Sequence, residues 1–337
     1  MDMTNINYQE LGLNSEDLLE MYRRMVLSRT LDERIWQLNR QGKAAIFASC
    51  QGHEAAQVAL VWATKQESDL FYIYYRDLPT VIALGVSPKE MLIGFMAKTG
   101  EPFSGARQFP LHGTYPKYNI VSLSNVVATQ IPQAVGASLA SKMRGDNAVT
   151  ITYFGDGAAS QGDCHESMNF AAIHKLPVIF FCENNKFATS VPLDKQMAIN
   201  NIAERAKGYG MPGITIDGTN LLLVYKTAKE AIARARRGDG PTLIEVNIER
   251  LMPHTSDDED TRYRTKEELE YARNYRDPLP ILRDYLLSEN ILTKTIDENF
   301  FSSAKIEVND ATEFAEAAPY PDTEDFYKHV YDDKGAE

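Results

Sequence analysis

Two apolar runs near the middle of the chain predict neighbouring strands of a buried sheet. They occupy residues 148–154 and residues 177–182. Continuous apolar runs of this length are typical of strands that are covered on both faces, as in parallel sheets. The stretch between them, from about residue 163 to residue 174, predicts a helix. Strand, helix and strand together predict a parallel βαβ unit.

Helical patterns flank this unit on both sides. Asn14 or Ser15 can cap a long amphipathic helix that Gly42 closes. Residues 279–287 and 304–318 predict helices after the unit. The expected fold is therefore α/β, with helices on both faces of a parallel sheet. We expect a helical arm over residues 1–50, an α/β domain over residues 51–275, and a helical extension with a tail over residues 276–337.

Polar residues follow both central runs. Gly155-Asp156-Gly157 ends the first, and Asn184-Asn185 ends the second. Parallel strands bring Asp156 and Asn185 to the same edge of the sheet, where a carboxylate and an amide oxygen suit Mg²⁺ and its phosphate ligands. The glycines let the backbone approach phosphate oxygens, and the N-terminus of the following helix attracts anions. Gly-Asp-Gly alone is a common turn. The prediction of a metal diphosphate site therefore depends on the strands that flank the motif.

Several motifs in a fixed order resemble one family. They are residues 155–163, Asn169-Phe170-Ala171-Ala172, Leu176-Pro177-Val178-Ile179 and Cys182-Glu183-Asn184-Asn185. They closely resemble the thiamine-diphosphate-dependent 2-oxo acid dehydrogenases, specifically the alpha subunit of the E1 component, and the likeness runs from about residue 15 to about residue 330. The resemblance implies a thiamine-diphosphate-binding fold. It also implies oxidative decarboxylation of a 2-oxo acid and transfer of the acyl group to the lipoyl arm of the E2 acyltransferase.

The resemblance assigns cofactor and metal residues. Magnesium would be bound by Asp156, Asn185 and the backbone carbonyl of Phe187. Tyr75 and Arg76 would hold the diphosphate, and the planar fork of an arginine suits phosphate oxygens. Taken alone, Arg76 could equally be a solvated surface charge. The further cofactor-binding residues implied are Asn125 and Val127, mainly through their main chains, and Gly155, Gly157 and Ala158.

Residues 250–260 follow a strand-like run at residues 242–248 and resemble the active-site loop of the family. His254 matches the catalytic histidine, which lies beside the cofactor and helps to position the substrate and the acyl intermediate. Histidine exchanges protons near neutral pH, although a lone histidine in a loop is often only a polar loop residue. Glu259 and Asp260 fit a solvated, charged loop. The residues that match those ordering the loop in the family are Arg250, Asp258, Tyr263 and Arg264.

A potassium site is implied by the branched-chain members of the family. Its ligands here would be Ser124, Val126, Thr129 and Gln130. Those members often have Ser-Pro at the positions of residues 125 and 126, so the turn differs in this chain. The alternative is a helix N-terminus at which Thr129 and Gln130 are capping groups.

Composition narrows the class of protein. The chain has 337 residues, 44% of them hydrophobic, which is enough for a substantial α/β core. A net charge of −12 without a basic stripe argues against nucleic acid, and no apolar run reaches the length of a membrane span. Cys50, Cys164 and Cys182 lack CxxC spacing, so reduced buried thiols are expected. The N-terminus lacks a signal or transit pattern, so we expect a cytoplasmic, bacterial protein.

One domain-sized chain leaves little length for a second domain that would grip the aminopyrimidine ring. The resemblance therefore implies an active site shared with an E1 beta subunit in an α2β2 heterotetramer. Residues 128–136 and 256–258 look more like branched-chain members, and a pyruvate or acetoin dehydrogenase alpha subunit is the alternative. A magnesium-dependent nucleotide-binding protein stays open, although no Gly-x-x-x-x-Gly-Lys-Ser/Thr loop is present, and so does a catalytically silent assembly subunit.

Four aromatic residues lie in the acidic tail without forming a helical stripe. They are Tyr320, Phe326, Tyr327 and Tyr331. Such residues either dock on another subunit or fold back on their own domain, and the sequence leaves both alternatives open.

Overall fold

The computed structural model describes residues 3–121 and 125–328. Within these residues five strands form a parallel sheet in the order β1-β2-β3-β7-β6, and β4 and β5 form an antiparallel hairpin. The strands are β1 (Leu70–Tyr72), β2 (Thr150–Gly155), β3 (Val178–Asn184), β4 (Phe187–Ala188), β5 (Val191–Pro192), β6 (Gly213–Asp217) and β7 (Thr242–Asn247).

The helices cover both faces of the sheet, as the sequence predicted. They are α1 (Ser15–Arg40), α2 (Glu54–Trp62), α3 (Leu78–Ala83), α4 (Pro88–Phe95), α5 (Gln130–Arg144), α6 (Gly162–Ile173), α7 (Ala206–Tyr209), α8 (Leu221–Arg236), α9 (Lys266–Tyr275), α10 (Pro278–Ser288) and α11 (Lys294–Ala317). The predicted α/β class with a parallel sheet is confirmed.

The predicted βαβ unit consists of β2, α6 and β3. The two strands are adjacent and parallel, and Gly155 lies in register with Glu183. Alternate residues of β3 enter two separate cores. Ile179 and Phe181 pack in the larger one, whereas Phe180 and Cys182 pack in the smaller one with α5 and α6. Burial on both faces explains why this strand is continuously apolar.

The N-terminal helix begins where its capping residues predicted. Asn14 accepts a hydrogen bond from the backbone amide of Asp17, and the Asp17 side chain accepts one from the amide of Asn14. This reciprocal capping box satisfies amide groups that a helix start leaves unpaired. Gly42, just beyond the end of α1, has a φ of 72°, which a glycine adopts without strain.

The last long helix begins earlier than the sequence pattern indicated. The prediction was a helix over residues 304–318, but α11 starts at Lys294, because the hydroxyl of Thr293 accepts the amide of Ile296 and caps it. The described part of the tail folds back on its own chain. The Lys98 ammonium donates to the Ala318 carbonyl at 2.9 Å, and Arg107 donates to the Asp325 carbonyl at 2.6 Å.

These contacts favour the fold-back alternative for the tail, while Tyr331 lies outside the described residues. The three cysteines are buried and free, as expected. Among the residues with a described structure, no helix is both long and apolar enough to cross a membrane. The proposed boundaries of the arm, the domain and the extension remain predictions.

Candidate active site

A cavity of about 240 Å³ opens at the carboxyl edge of the sheet. The loops after β2 and β3 form one side of it, and the segments that contain Arg76, Asn125 and His254 form the other. Ligands commonly bind at this edge in parallel α/β sheets. The predicted site residues in its wall are Tyr75, Arg76, Asn125, Val126, Val127, Gln130, Gly155, Asp156, Gly157, Ala158, Asn185, Phe187 and His254.

Asp156 follows directly after β2 and is only 2% exposed. Its Oδ2 accepts a hydrogen bond from Nε2 of Gln196 at 2.7 Å. Burial raises the pKa of this carboxyl group, while Gln196, nearby backbone amides and the charge of Arg250 oppose the rise. A buried carboxylate with one side-chain donor is well suited to gain a cation.

The two asparagines at the end of β3 have different roles. The Nδ2 of Asn184 donates to Glu245 at 2.6 Å, and its Oδ1 accepts the amide of Lys186, so Asn184 supports the turn. Asn185 instead lies in the cavity wall, where its Oδ1 accepts the amide of Phe187 at 3.4 Å. The turn thus brings Asn185 and Phe187 to the same cavity as Asp156.

Gly157 is required by the hairpin that follows β3. A Cβ at this position would lie 2.8 Å from the Cβ of Ala188 in β4, closer than such atoms approach. The equivalent position at Gly155 meets only the Glu183 carbonyl, at 4.0 Å. The close approach of two backbone segments therefore explains Gly157. The helix predicted from about residue 163 begins at Gly162, after a short 3₁₀ turn, Ala158–Ser160.

Arg76 is not a solvated surface charge, because it is 1% exposed. Its Nη1 donates to the Ser49 carbonyl at 2.6 Å, and its Nη2 donates to the His254 carbonyl at 3.1 Å. Its guanidinium also lies over the ring of Tyr75. The Nε is buried and has no hydrogen-bond partner within the described residues. The guanidinium of Arg76 is thus held rigidly at the cavity, and its Nε–H remains as a hydrogen-bond donor that none of the described residues uses.

His254 is a neutral imidazole in this site. Burial, together with the charges of Arg76 and Arg250, lowers its pKa to about 3. Its Nδ1 lies 3.3 Å from Nη2 of Arg76. A guanidinium can only donate, so Nδ1 is the acceptor and the proton resides on Nε2. Near neutral pH, His254 is therefore a hydrogen-bond donor rather than a proton exchanger.

The predicted loop-ordering residues form one connected network. Arg250 donates to the Tyr263 hydroxyl at 3.2 Å, and that hydroxyl donates to Asp258. The same carboxylate accepts the backbone amide of His254 at 2.8 Å. Arg264 donates to the Arg250 carbonyl at 2.9 Å. The network fixes the backbone at His254, although none of these four side chains lies in the cavity wall.

The charged residues next to this network differ from each other. Glu259 is exposed and pairs with Arg262, as expected of a solvated loop. Asp260 is 5% exposed and accepts from Arg264 at 3.4 Å, so the solvated alternative is wrong for this residue.

Two residues of the predicted potassium site use their side chains in hydrogen bonds within the protein. The Thr129 hydroxyl donates to the Val126 carbonyl at 2.9 Å, and Gln130 donates to the Tyr153 carbonyl at 2.9 Å. Neither side chain caps α5, so the capping alternative is wrong. Ser124 lies outside the described residues. The potassium site stays a prediction.

A buried polar network beneath Arg76 was missed by the sequence analysis. The side chain of Gln57 donates to Asp77 and to Glu183, both at 3.0 Å, and Tyr74 donates to Glu183 at 2.9 Å. Burial raises the pKa of Glu183 to about 7 and that of Asp77 well above its usual range. A carboxylate at the end of an apolar run was the available signal in the sequence. Gln196 gave no signal, because it lies in an irregular segment.

A metal ion bound at this cavity would need ligands of mixed kinds. Across residues 3–121 and 125–328, no group of three or more His, Cys, Asp or Glu side chains is placed to hold a metal. A carboxylate, an amide and a backbone carbonyl from Asp156, Asn185 and Phe187 instead match the oxygen ligands of Mg²⁺, which takes its remaining ligands from phosphates and water.

The chain is similar to known proteins along most of its length. The model of the family "Dehydrogenase E1 component" matches residues 22–324. The chain is 48% identical to the 2-oxoisovalerate dehydrogenase subunit alpha of Bacillus subtilis (strain 168), over 98% of this chain and 99% of the relative. It is 37% identical to the 3-methyl-2-oxobutanoate dehydrogenase subunit alpha of Mycobacterium tuberculosis, over 95% of this chain and 84% of the relative. It is 39% identical to a pyruvate dehydrogenase E1 component subunit alpha of Staphylococcus aureus, with the same coverage.

Proposed function

The chain belongs to the dehydrogenase E1 component family, and we propose that it is the alpha subunit of a branched-chain 2-oxo acid dehydrogenase E1. In this function it decarboxylates branched-chain 2-oxo acids with thiamine diphosphate and passes the acyl group to the lipoyl arm of E2. The observation that carries the proposal is the convergence of Asp156, Asn185, Arg76 and His254 on one cavity at the carboxyl edge of the sheet.

The residues present suit a magnesium diphosphate. Asp156, Asn185 and the carbonyl of Phe187 would bind Mg²⁺, and Arg76, with its unpartnered Nε, would bind the diphosphate. The backbones of Asn125 and Val127 and the turn at Gly155, Gly157 and Ala158 would complete the cradle. Thiamine diphosphate supplies the electron sink for decarboxylation when it is bound.

His254 would act by donating a hydrogen bond to the substrate and by helping to orient it. Its neutral Nε2–H can donate to a carboxylate or carbonyl oxygen of the substrate. The network of Arg250, Asp258, Tyr263 and Arg264 would keep the imidazole in place, because Asp258 fixes its backbone amide. Positioning of this kind reduces the entropy cost of bringing the reacting groups together.

Partners follow from the names of the relatives, which are alpha subunits. We infer an E1 beta subunit, an α2β2 heterotetramer in the bacterial cytoplasm, and an E2 lipoyl acyltransferase as acceptor. A potassium ion near Val126, Thr129 and Gln130, together with Ser124, is part of the same proposal.

Substrate choice is tested with the alpha–beta pair. A branched-chain enzyme should prefer 3-methyl-2-oxobutanoate to pyruvate in kcat/KM, by about 10-fold or more for each carbon atom that pyruvate lacks. One methylene is worth only about 1–3 kcal/mol in an apolar pocket, so some activity with pyruvate is expected. A clear preference for pyruvate would instead support the alternative suggested by the Staphylococcus aureus relative.

Calorimetry separates the enzyme from the two other classes of function. Thiamine diphosphate and Mg²⁺ are titrated into the chain with and without the beta subunit, and a nucleoside triphosphate with Mg²⁺ serves as the comparison. Saturable binding of thiamine diphosphate to the mixture supports the enzyme. Nucleotide binding by the chain alone would indicate a nucleotide-binding protein, and no binding at all would indicate an assembly subunit.

A further inference from the structure

Gln196 contacts the proposed metal ligand from an unexpected part of the chain. It follows the hairpin β4–β5 and the short turn Leu193–Lys195. Its Nε2 donates to Oδ2 of Asp156 at 2.7 Å and to the Val191 carbonyl at 2.9 Å. Its Oε1 is buried and has no hydrogen-bond partner among the described residues. Both hydrogens of Nε2 are therefore donated, whereas Oε1 is buried without a partner among the described residues.

We propose that Gln196 is a positioning residue for the metal site, which orients the Asp156 carboxylate through the hydrogen bond from its Nε2. The inference rests on the proposed function, because it assumes that a divalent ion binds at Asp156. Hydrogen bonds to a ligating carboxylate fix its orientation and so support the binding of the metal.

The fixed end of the amide explains the orientation. Both hydrogens of Nε2 are committed, one to Asp156 and one to the backbone of β5, so the side chain cannot rotate freely. With Oδ2 of Asp156 held by Gln196, the second carboxylate oxygen is left for the ion. Asp156 then needs no rearrangement when the ion binds.

The side chain is not needed to form its own turn. The backbone amides of Gln196 and Met197 already donate to the Leu193 carbonyl, at 3.0 Å and 3.2 Å. The hairpin before it is closed by the pairing of Phe187 with Pro192. A purely structural role would therefore be limited to the bond with the Val191 carbonyl, and this bond does not involve the metal.

A competing role makes the opposite prediction. If the amide of Gln196 merely occupied the place of the ion, it would have to leave Asp156 before Mg²⁺ could bind. Removal of the amide would then strengthen metal binding. The direction of the change therefore separates a positioning residue from a competitor.

The experiment uses the full chain assembled with its beta subunit. Binding of thiamine diphosphate is measured by calorimetry over a series of Mg²⁺ concentrations for the wild type, Gln196→Met and Gln196→Ala. Binding of Mn²⁺, followed by electron paramagnetic resonance, gives a second readout that does not depend on catalysis. Gln66→Met is the matched control, because Gln66 is exposed near the opposite edge of the sheet.

We expect both Gln196 variants to need about 10- to 100-fold more Mg²⁺ for half-maximal cofactor binding, the range typical of lost outer-sphere partners. The control should match the wild type. At saturating Mg²⁺ the affinity of the variants for the cofactor should approach the wild-type value. A folding defect would lower the binding stoichiometry instead of raising the Mg²⁺ requirement, so the two effects are separable.

An unchanged or reduced Mg²⁺ requirement in both variants would overturn the inference. If the wild type itself showed no metal-dependent binding of thiamine diphosphate, the proposed function would be wrong, whatever the variants did.

Discussion

Two buried aspartates at opposite edges of the same sheet have very different surroundings. Asp69, just before β1, accepts two backbone amides and both Nη atoms of Arg236, so each of its oxygens has two donors. Asp156, just after β2, has only Gln196 as a side-chain donor and faces a cavity. The charge of Asp69 is balanced by the protein itself, whereas the surroundings of Asp156 suit a bound cation.

The arginines at the two edges repeat this contrast. Arg236 forms a bidentate ion pair with Asp69. Arg76 has no carboxylate in direct contact among the described residues; it donates to backbone carbonyls and keeps a buried Nε without a partner. Positive charge without a matching anion is costly inside a protein, unless an anionic ligand is part of the design. The amino edge of the sheet, where Asp69 and Arg236 pair, therefore stabilises the fold, and we propose that Asp156 and Arg76 at the carboxyl edge serve binding at a cost in stability.

The largest expected effect comes from removing the buried ion pair at the amino edge of the sheet. Asp69→Ala should lower the free energy of unfolding by about 3–5 kcal/mol, because it leaves Arg236 without its buried partner. Urea unfolding measures this loss. Cofactor affinity of the folded fraction should not change, and a large loss of affinity would contradict the separation of the two edges.

A substitution at the carboxyl edge should have the reverse outcome, because it should weaken binding and leave the stability of the fold nearly unchanged. Asp156→Ala should abolish metal-dependent retention of thiamine diphosphate, a loss of at least about 100-fold, the upper end of what a lost outer partner costs. The free energy of unfolding should be little affected, because a buried carboxyl with a raised pKa contributes little to stability. Calorimetry with and without Mg²⁺ measures the binding. Tight metal-dependent binding by the variant would exclude Asp156 as a ligand.

A matched pair of substitutions sharpens the contrast between the arginines. Arg76→Lys loses the planar fork and should weaken cofactor binding about 10- to 100-fold, the value of one charged hydrogen bond. Arg236→Lys should instead lower the free energy of unfolding by about 1.5–3 kcal/mol and leave binding intact. Titration calorimetry and urea unfolding of both variants test the pair. Equal losses of cofactor binding in the two variants would show that the two arginines do not have separate roles in binding and stability.

The smallest expected effect concerns pH. The unfolded chain protonates His254 with a pKa near 6.5, whereas the folded chain resists protonation until about pH 3. The unfolded state then binds more protons, so stability falls as pH falls below about 6.5, by about 1.4 kcal/mol per pH unit. His254→Asn should flatten this slope between about pH 6 and about pH 5 in urea unfolding. An identical slope in the variant would mean that His254 is charged in the folded state.

The sequence predicted the strands of the site better than the contacts around them. Residues 148–154 and 177–182 are apolar on both faces, which is a local property that only a covered parallel sheet satisfies. Capping by Asn14 could also be predicted because it is a local property, since the capping box lies within four residues. The start of α11 was missed because its capping residue, Thr293, precedes the part with a clear apolar pattern.

The amino-acid sequence by itself determined the α/β class, the βαβ unit and the family, because periodicity and motif order are properties of neighbouring residues. The tertiary structure alone decided which buried polar groups have hydrogen-bond partners and which, such as Nε of Arg76, have none among the described residues. Gln196 meets Asp156 across 40 positions of the chain, and Arg76 meets His254 across 178. Burial, and with it the low pKa of His254, exists only once such distant segments have packed together and excluded water.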